Sequence, residues 1–271
     1  MRRRTDRPRN LPALLTELHA QRHTGTVVVS GSPSSRIHVR DGGVSAVETP
    51  GSPGVETLLR GSARLTDDTW TAICAAAESA DGDLAAELEA AGLLSRHAFD
   101  VVCTSAVFDG AFATALTVPD SWELAEADPM PWTGPSFTPR RLATETTRRL
   151  EALAARWGAP PAEVARTPVV ASSKPPARIP PRYAALLQAV NGRRTPRDIA
   201  FVLGRGTYAV MLDLARMHEL ALVLRAPSVP DTGRRSTAAR RPERPSAGLS
   251  RVVPLPRRNP GRHRAEQMDD G

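Results

Sequence analysis

Arg36-Ile37-His38-Val39-Arg40-Asp41-Gly42-Gly43-Val44-Ser45-Ala46-Val47-Glu48 is the stretch on which the fold turns. Over Arg36–Arg40 the apolar Ile37 and Val39 alternate with Arg36, His38 and Arg40, the period of a strand with one buried face. Asp41-Gly42-Gly43 then supplies residues that tolerate the positive φ of a tight hairpin turn. Val44–Glu48 is the return strand. A hairpin alone cannot hide its apolar face, so neighbouring segments must cover it.

Upstream, Leu11, Leu14, Leu15 and Leu18 fall on one helical face, with Asn10 placed to cap it and Pro12 in its first turn. His23-Thr24-Gly25 ends that helix, and Thr26–Ser30 reads as a short buried strand. Downstream, Val55–Leu59 is a short helix. Asp67 or Asp68 opens a helix over Trp70–Glu78, Asp83 or its neighbours open Leu84–Ala91 ahead of Gly92, and Ser95 caps a longer helix to about Ala115. Ser121–Ala125 reads as a strand and Arg140–Trp157 as a helix.

Residues 158–181 hold seven prolines and little periodicity, which predicts an extended interdomain linker. Tyr183, Leu186, Leu187 and Val190 then form a helical stripe. Thr195-Pro196-Arg197-Asp198 matches a capping box, Gly204 stops that helix, and Thr207 starts another through His218. Leu222–Leu224 reads as a strand. Beyond Arg225 the chain is rich in Pro, Arg and Ser and should be disordered.

The net charge of +7 is uneven. Residues 1–10 carry +4 and 226–271 carry +5, which leaves the body 11–225 at −2. Lys174 is the only lysine, and the arginine, alanine and proline bias is that of a GC-rich genome such as an actinobacterial one. The arginine count therefore says little by itself. Cys74 and Cys103 both sit on apolar helical stripes and should be buried, reduced thiols. No run approaches ~18 apolar residues, and Leu11–Leu15 is too short for a signal peptide, so a cytoplasmic protein with no membrane segment is expected.

Several chemistries lack their residues. No P-loop is present, and Gly204-Arg205-Gly206 lacks the third glycine and the preceding strand of a dinucleotide fingerprint. His19 and His23 stand one turn apart without a third ligand nearby. Asp81-Gly82-Asp83 lacks the other oxygen ligands of a Ca²⁺ loop and reads as a helix cap. No G-x-S-x-G elbow occurs. No catalytic, cofactor-binding or metal residue is assigned, and no cofactor is expected. The candidate contact residues are Arg193, Arg194, Arg197 and Arg205, which flank a helical turn and could meet phosphate or a partner protein. The helix after them offers only Asp213 and Arg216 as formal charges, a poor set for reading bases.

Leu11–Leu15, Thr24-Gly25-Thr26, Arg36–Gly42 and Val55–Leu59 together resemble the PATAN type of bacterial regulatory domain over about 11–157. In such domains a first helix precedes a "TG-x-(hydrophobic)" strand and an "I-x-(F/V)-x-(D/N)-G" hairpin. The loop Ser32–Ser35 is longer here than a tight turn. The resemblance implies a protein-interaction module of two-component, gliding or small-GTPase systems and carries no catalytic residues. Residues 182–225 are similar to a winged-helix or helix-turn-helix module, without a visible wing.

These readings predict an α+β protein: a basic arm 1–10, an α+β domain 11–157 with a small antiparallel sheet, a linker 158–181, a helical module 182–225 and a tail 226–271. The expected function is that of a non-catalytic regulatory adaptor with a protein partner. The alternative is a DNA-binding regulator, with weak nucleic-acid binding through the tail.

Overall fold

A computed structural model describes residues 10–61, 65–79, 83–128, 134–173 and 179–226. The arm before Asn10, the tail from residue 227, Lys174 and Asp81-Gly82 lie outside the described residues, so the disorder expected of the two ends is not addressed. The protein is α+β. Its helices are α1 (Leu11–Ala20), α2 (Val55–Gly61), α3 (Asp67–Ser79), α4 (Leu84–Ala90), α5 (Arg96–Ala115), α6 (Pro139–Trp157), α7 (Pro161–Arg166), α8 (Ala184–Ala189), α9 (Pro196–Leu203) and α10 (Thr207–Glu219). Its strands are β1 (Gly25–Ser30), β2 (Ser35–Arg40), β3 (Gly43–Glu48), β4 (Ser121–Ala125), β5 (Val169–Ala171) and β6 (Val223–Arg225).

The hairpin forms as its residues dictate. Asp41 (φ +48°) and Gly42 (φ +77°) make the turn, and a Cβ on Gly42 would lie 2.7 Å from the His19 carbonyl oxygen. That close approach joins the turn to α1: the Gly42 amide donates to the His23 carbonyl at 2.8 Å, and His19 Nδ1 donates to the Gly42 carbonyl at 3.0 Å. Asn10 Oδ1 accepts the Ala13 amide at the start of α1.

The main sheet is antiparallel with order β3-β2-β1-β4. Register pairs Val27 with Ile37 and Ile37 with Val47, so one face carries Val27, Val29, Ile37, Val39, Val44 and Val47. Leu14 and Leu18 of α1, Val107 and Phe108 of α5 and Leu142 of α6 cover that face. The β3 edge is partly closed: Val44 and Phe137 exchange two backbone hydrogen bonds, at 2.9 and 2.8 Å.

α5 is the central element. It gives Val107 and Phe108 to the sheet core, Phe99, Cys103 and Ala106 to a second core with α2, α3 and α4, and Phe112 to a third with the C-terminal helices. It is also, among the described residues, the one helix long and apolar enough to cross a membrane by length and composition. A count of purely apolar runs misses it, because its threonines and aspartates interrupt them. More than half of its apolar window is buried among these three cores.

Three expectations need correction. Thr66, not Asp67 or Asp68, caps α3, its Oγ1 accepting the Thr69 amide at 3.2 Å. Cys103 is buried and its thiol is pushed up to about 12 by burial, but Cys74 is only half-buried. The stretch 158–181 is more than an extended linker, for it contains α7 and β5, and β5 pairs antiparallel with β6 (Val170 opposite Leu224). Pro161 starts α7 rather than breaking it, since the first helical residue needs no amide hydrogen. Val164 and Val169 are buried with Tyr183, Leu186, Ile199, Met211 and Leu214, and α6 adds Leu153 and Trp157 to the same cluster.

Candidate functional site

The four arginines singled out from the sequence do not form one patch. Arg193 and Arg194 precede α9 and Arg197 lies in its first turn, whereas Arg205 follows the left-handed Gly204 at its other end, about 12 Å of helical rise away. Arg194 donates to the Ala189 carbonyl at 3.0 Å and so closes α8. Arg197 stands 3.6 Å from Asp198, and Arg205 binds Asp213 at 2.7 Å, a carboxylate that also receives Arg216 at 3.2 Å. Arg193 is exposed. The helix that would read bases, α10, buries Thr207, Val210, Met211, Leu214, Ala215 and Met217 on one face and leaves Ala209, Arg216 and Glu219 exposed on the other.

A buried joint that no motif announces lies at Asp109, which is 5% exposed on α5. One carboxylate oxygen receives Arg149 of α6 at 3.1 Å and the Tyr208 amide at 3.3 Å, and the other receives the Ser52 hydroxyl at 3.1 Å. Asp109 thereby caps α10 from across the fold, because Gly206 at the cap position has no side chain to do so. A Cβ on Gly206 would collide with that carboxylate. Burial pushes the Asp109 carboxyl up from its ordinary range, against the pull of Arg149 and the Ser52 hydrogen bond. Thr207 Oγ1 adds a hydrogen bond to the Gly51 carbonyl at 3.1 Å, and the Trp157 indole one to the Met211 carbonyl at 3.3 Å.

The solvent-side face of the sheet carries a polar cluster. Arg36 pairs with Asp128, and His38 Nε2 lies 3.3 Å from Glu48 Oε2, an ion-pair contact without hydrogen-bond geometry. His38 holds the Glu48 carboxyl below its ordinary value. A shallow cavity of about 210 Å³ adjoins these groups. The hydroxyl beside the imidazole is that of the fully buried Thr26, 3.5 Å from His38 Nδ1; it also accepts the Asp128 amide at 3.3 Å, while Ser45 Oγ donates to the His38 carbonyl. Among the described residues no three His, Cys, Asp or Glu side chains converge as a metal set would.

The feature best suited to a ligand or partner is apolar. A cleft of about 460 Å³ opens between α1, the end of α5, α6 and the start of β4. Leu11 and Leu15, Ile37 and Val47, Trp122 and Leu150 line it, and no charged residue does, in a chain of which 24% is charged. Beside it, among the described residues, β4 pairs only with β1 and its other edge is open, and Val118 (88% exposed) and Leu124 (52% exposed) flank that edge. A volume of this size with mostly apolar walls is that of ligand-sized and hot-spot pockets. The sequence marked Ser121–Ala125 as a strand but could not show that it lies at an edge, which depends on pairing with β1 almost a hundred residues earlier.

These features define a class: an α+β chain with a small antiparallel sheet, a buried inter-helix joint and an uncharged cleft beside an open strand. No family profile, curated protein or solved structure matches the chain.

Proposed function

We propose that this chain is a non-catalytic regulatory adaptor of the PATAN-like kind, which docks a partner protein at the cleft between α1, α5, α6 and β4. The observation that carries the reading is that cleft: about 460 Å³ with no charged lining residue, next to exposed Val118 and Leu124. Isolated exposed apolar side chains are ordinary, but a contiguous apolar hollow beside them marks an interaction site. The signalling or GTPase-linked setting rests on the family resemblance alone, and a cytoplasmic location is part of the same proposal.

The DNA-binding alternative is less well supported. Arg194, Arg197 and Arg205 already serve carbonyls or carboxylates of their own chain, and the exposed charges of α10 are paired as well, Arg216 with Asp213 and Glu219 with Arg156. A helix that enters a groove must present an exposed polar face.

The test is a photo-crosslinking amino acid at Ala143 on the cleft wall, introduced in the native host and compared with the same probe at Arg193. The reading expects one protein to be captured at Ala143 and lost when Ala143→Trp fills the cleft. In parallel, DNA binding of the full chain should be weak and sequence-tolerant, and steeply reduced by salt. Sequence-selective binding at physiological salt that Arg193→Ala or Arg197→Ala abolishes would replace the adaptor by the regulator.

A further inference from the structure

The open edge of the sheet carries a second property, its charge. Residues 119–128 read Pro-Asp-Ser-Trp-Glu-Leu-Ala-Glu-Ala-Asp, with four acids and no base. Asp128 is taken by Arg36. Asp120, Glu123 and Glu126 are exposed, and none of them makes an ion pair among the described residues. By contrast Arg36, Arg148, Arg149 and Arg156 are all paired with carboxylates of their own chain.

The register sets what faces where. Val27 lies opposite Leu124 and Val29 opposite Trp122, so Trp122 and Leu124 share the apolar face with the core valines. Ser121, Glu123 and Ala125 point to the opposite, solvent-side face. A strand added along β4 would therefore set alternate residues beside Trp122 and Leu124, at the mouth of the apolar cleft. Its intervening residues would stand beside Glu123, with Asp120 and Glu126 flanking.

We infer that β4 is a strand-addition site, and that its partner is an extended peptide segment in which apolar and basic residues alternate. The inference rests on the adaptor reading and names the mode and chemistry of its docking. Main-chain hydrogen bonds along the open edge give affinity, while the two alternating rows of side chains give specificity. Opposite charges directly across a strand pair are favourable and like charges unfavourable. Folded chains usually protect such an edge with charge, a bulge or a covering loop. Here the opposite edge, β3, has Phe137 against Val44, whereas β4 has, among the described residues, its acids alone, which repel an acidic or self-complementary strand and attract a basic one. A second copy of this chain is a poor occupant. Glu123 is the middle residue of β4, so two copies paired in register about a two-fold axis would set Glu123 against its own equivalent.

The experiment uses the full chain and synthetic fluorescent peptides as probes: one alternating Arg and Val, one with Glu replacing Arg, one with the arginines clustered at one end, and the alternating peptide N-methylated at every second backbone amide. Fluorescence anisotropy at physiological salt is read for the native chain and for Glu123→Arg. Binding by the alternating Arg/Val peptide is expected, with about tenfold or greater loss on N-methylation, on clustering the arginines, and on Glu123→Arg. The Glu123→Arg chain should instead gain affinity for the Glu/Val peptide, a charge swap that a merely unfolded variant cannot show. Equal binding of the N-methylated or clustered peptide reduces the interaction to non-specific charge and overturns strand addition, as does no binding of the alternating peptide. Sedimentation of the native and Glu123→Arg chains checks the remaining occupant: a dimer that Glu123→Arg abolishes would make the edge a self-association site instead. The two levels separate cleanly. A partner crosslinked at Ala143 and retained by Glu123→Arg keeps the adaptor and ends the strand-addition inference; no crosslinked partner ends the adaptor reading itself.

Discussion

Two faces of α5 hold their neighbours by different means. Around its middle, Val107 and Phe108 meet the sheet through apolar contact alone, with Val27, Val29, Ile37 and Val47. On another side Asp109 meets α10 through a carboxylate that also serves Arg149 and Ser52, beside the apolar Phe112 and Met211. Apolar packing tolerates changes of shape in proportion to the area lost. A buried carboxylate is stricter, because removing it leaves its donors unsatisfied and a guanidinium without one of its counter-charges. The C-terminal helices thus add one strict polar point of attachment, at Asp109, to the apolar core they share with α5 and α6.

The largest effect should come from breaking that point. Asp109→Ala is expected to lower stability by about 3–5 kcal/mol in denaturant unfolding. Amide protection should be lost first in α10, at Tyr208 and its neighbours, while Val27 and Ile37 in the sheet stay protected. Uniform loss across both regions would mean that the attachment is spread over the whole of the shared core.

Glycines at two helix ends refine the comparison. Gly158 after α6 and Gly204 after α9 have nearly the same left-handed backbone, φ +60° and +56°. A Cβ at Gly158 meets nothing within 4 Å, whereas one at Gly204 would lie 2.6 Å from Gly61 Cα on α2. Gly158→Ala should therefore cost about 1 kcal/mol, the conformational penalty alone. Gly204→Ala should cost about 3 kcal/mol, since the backbones of α2 and α9 must also separate. Equal costs would show that α9 can withdraw from α2 freely.

Such contacts mark where sequence reading stops. Asn10, Ser95, Thr195 and Gly204 were legible as helix ends because a cap depends on residues three or four positions away. The Asp41-Gly42 turn and the alternation around it were legible for the same reason. Asp109 reads locally as one polar residue in an apolar helix, and its partners Ser52, Arg149 and Tyr208 are remote in the chain. β5 is three residues long and is defined only by β6, so proline content outweighed it and a linker was expected. Of the candidate site, the strand was legible but the cleft and the open edge were not, since both are properties of how remote segments meet. The arginines attracted attention by their charge, and the acids that neutralise several of them became visible only in the fold.

Acid titration probes the same joint from its other side. Arg148 and Arg149 hold the Glu145 carboxyl down, from the ordinary 4.5 to about 2. A carboxyl depressed in the folded state stabilises above 4.5, and that contribution is lost as pH falls toward 2. Asp109, raised by burial, works in the opposite direction: it favours the folded state as pH falls into its own range. Glu145→Gln should flatten the loss of stability between about pH 4.5 and 2, and Asp109→Asn should steepen it relative to each variant's value at neutral pH. A parallel pair of acid limbs would remove Arg149 as the link between the two carboxylates.

The smallest effect is expected at the open edge, and its smallness carries the comparison to the sheet's two borders. At the β3 border Phe137 is buried, packs its ring at a tilt against Phe108 with centroids 5.0 Å apart and bonds Val44 through its backbone. Phe137→Ala should cost about 3 kcal/mol, as truncation of a buried aromatic generally does. At the β4 border Leu124 is 52% exposed and belongs to none of the buried clusters. Leu124→Ser should leave stability within about 0.5 kcal/mol of the native chain. Serine keeps the backbone pairing of Leu124 with Val27 and removes an apolar side chain that the folded chain leaves about half in water. A cost near that of Phe137→Ala would show that Leu124 is covered in the free protein, and the edge would then be closed rather than open. A negligible cost, together with loss of the alternating Arg/Val peptide, would place the value of Leu124 in binding and not in folding.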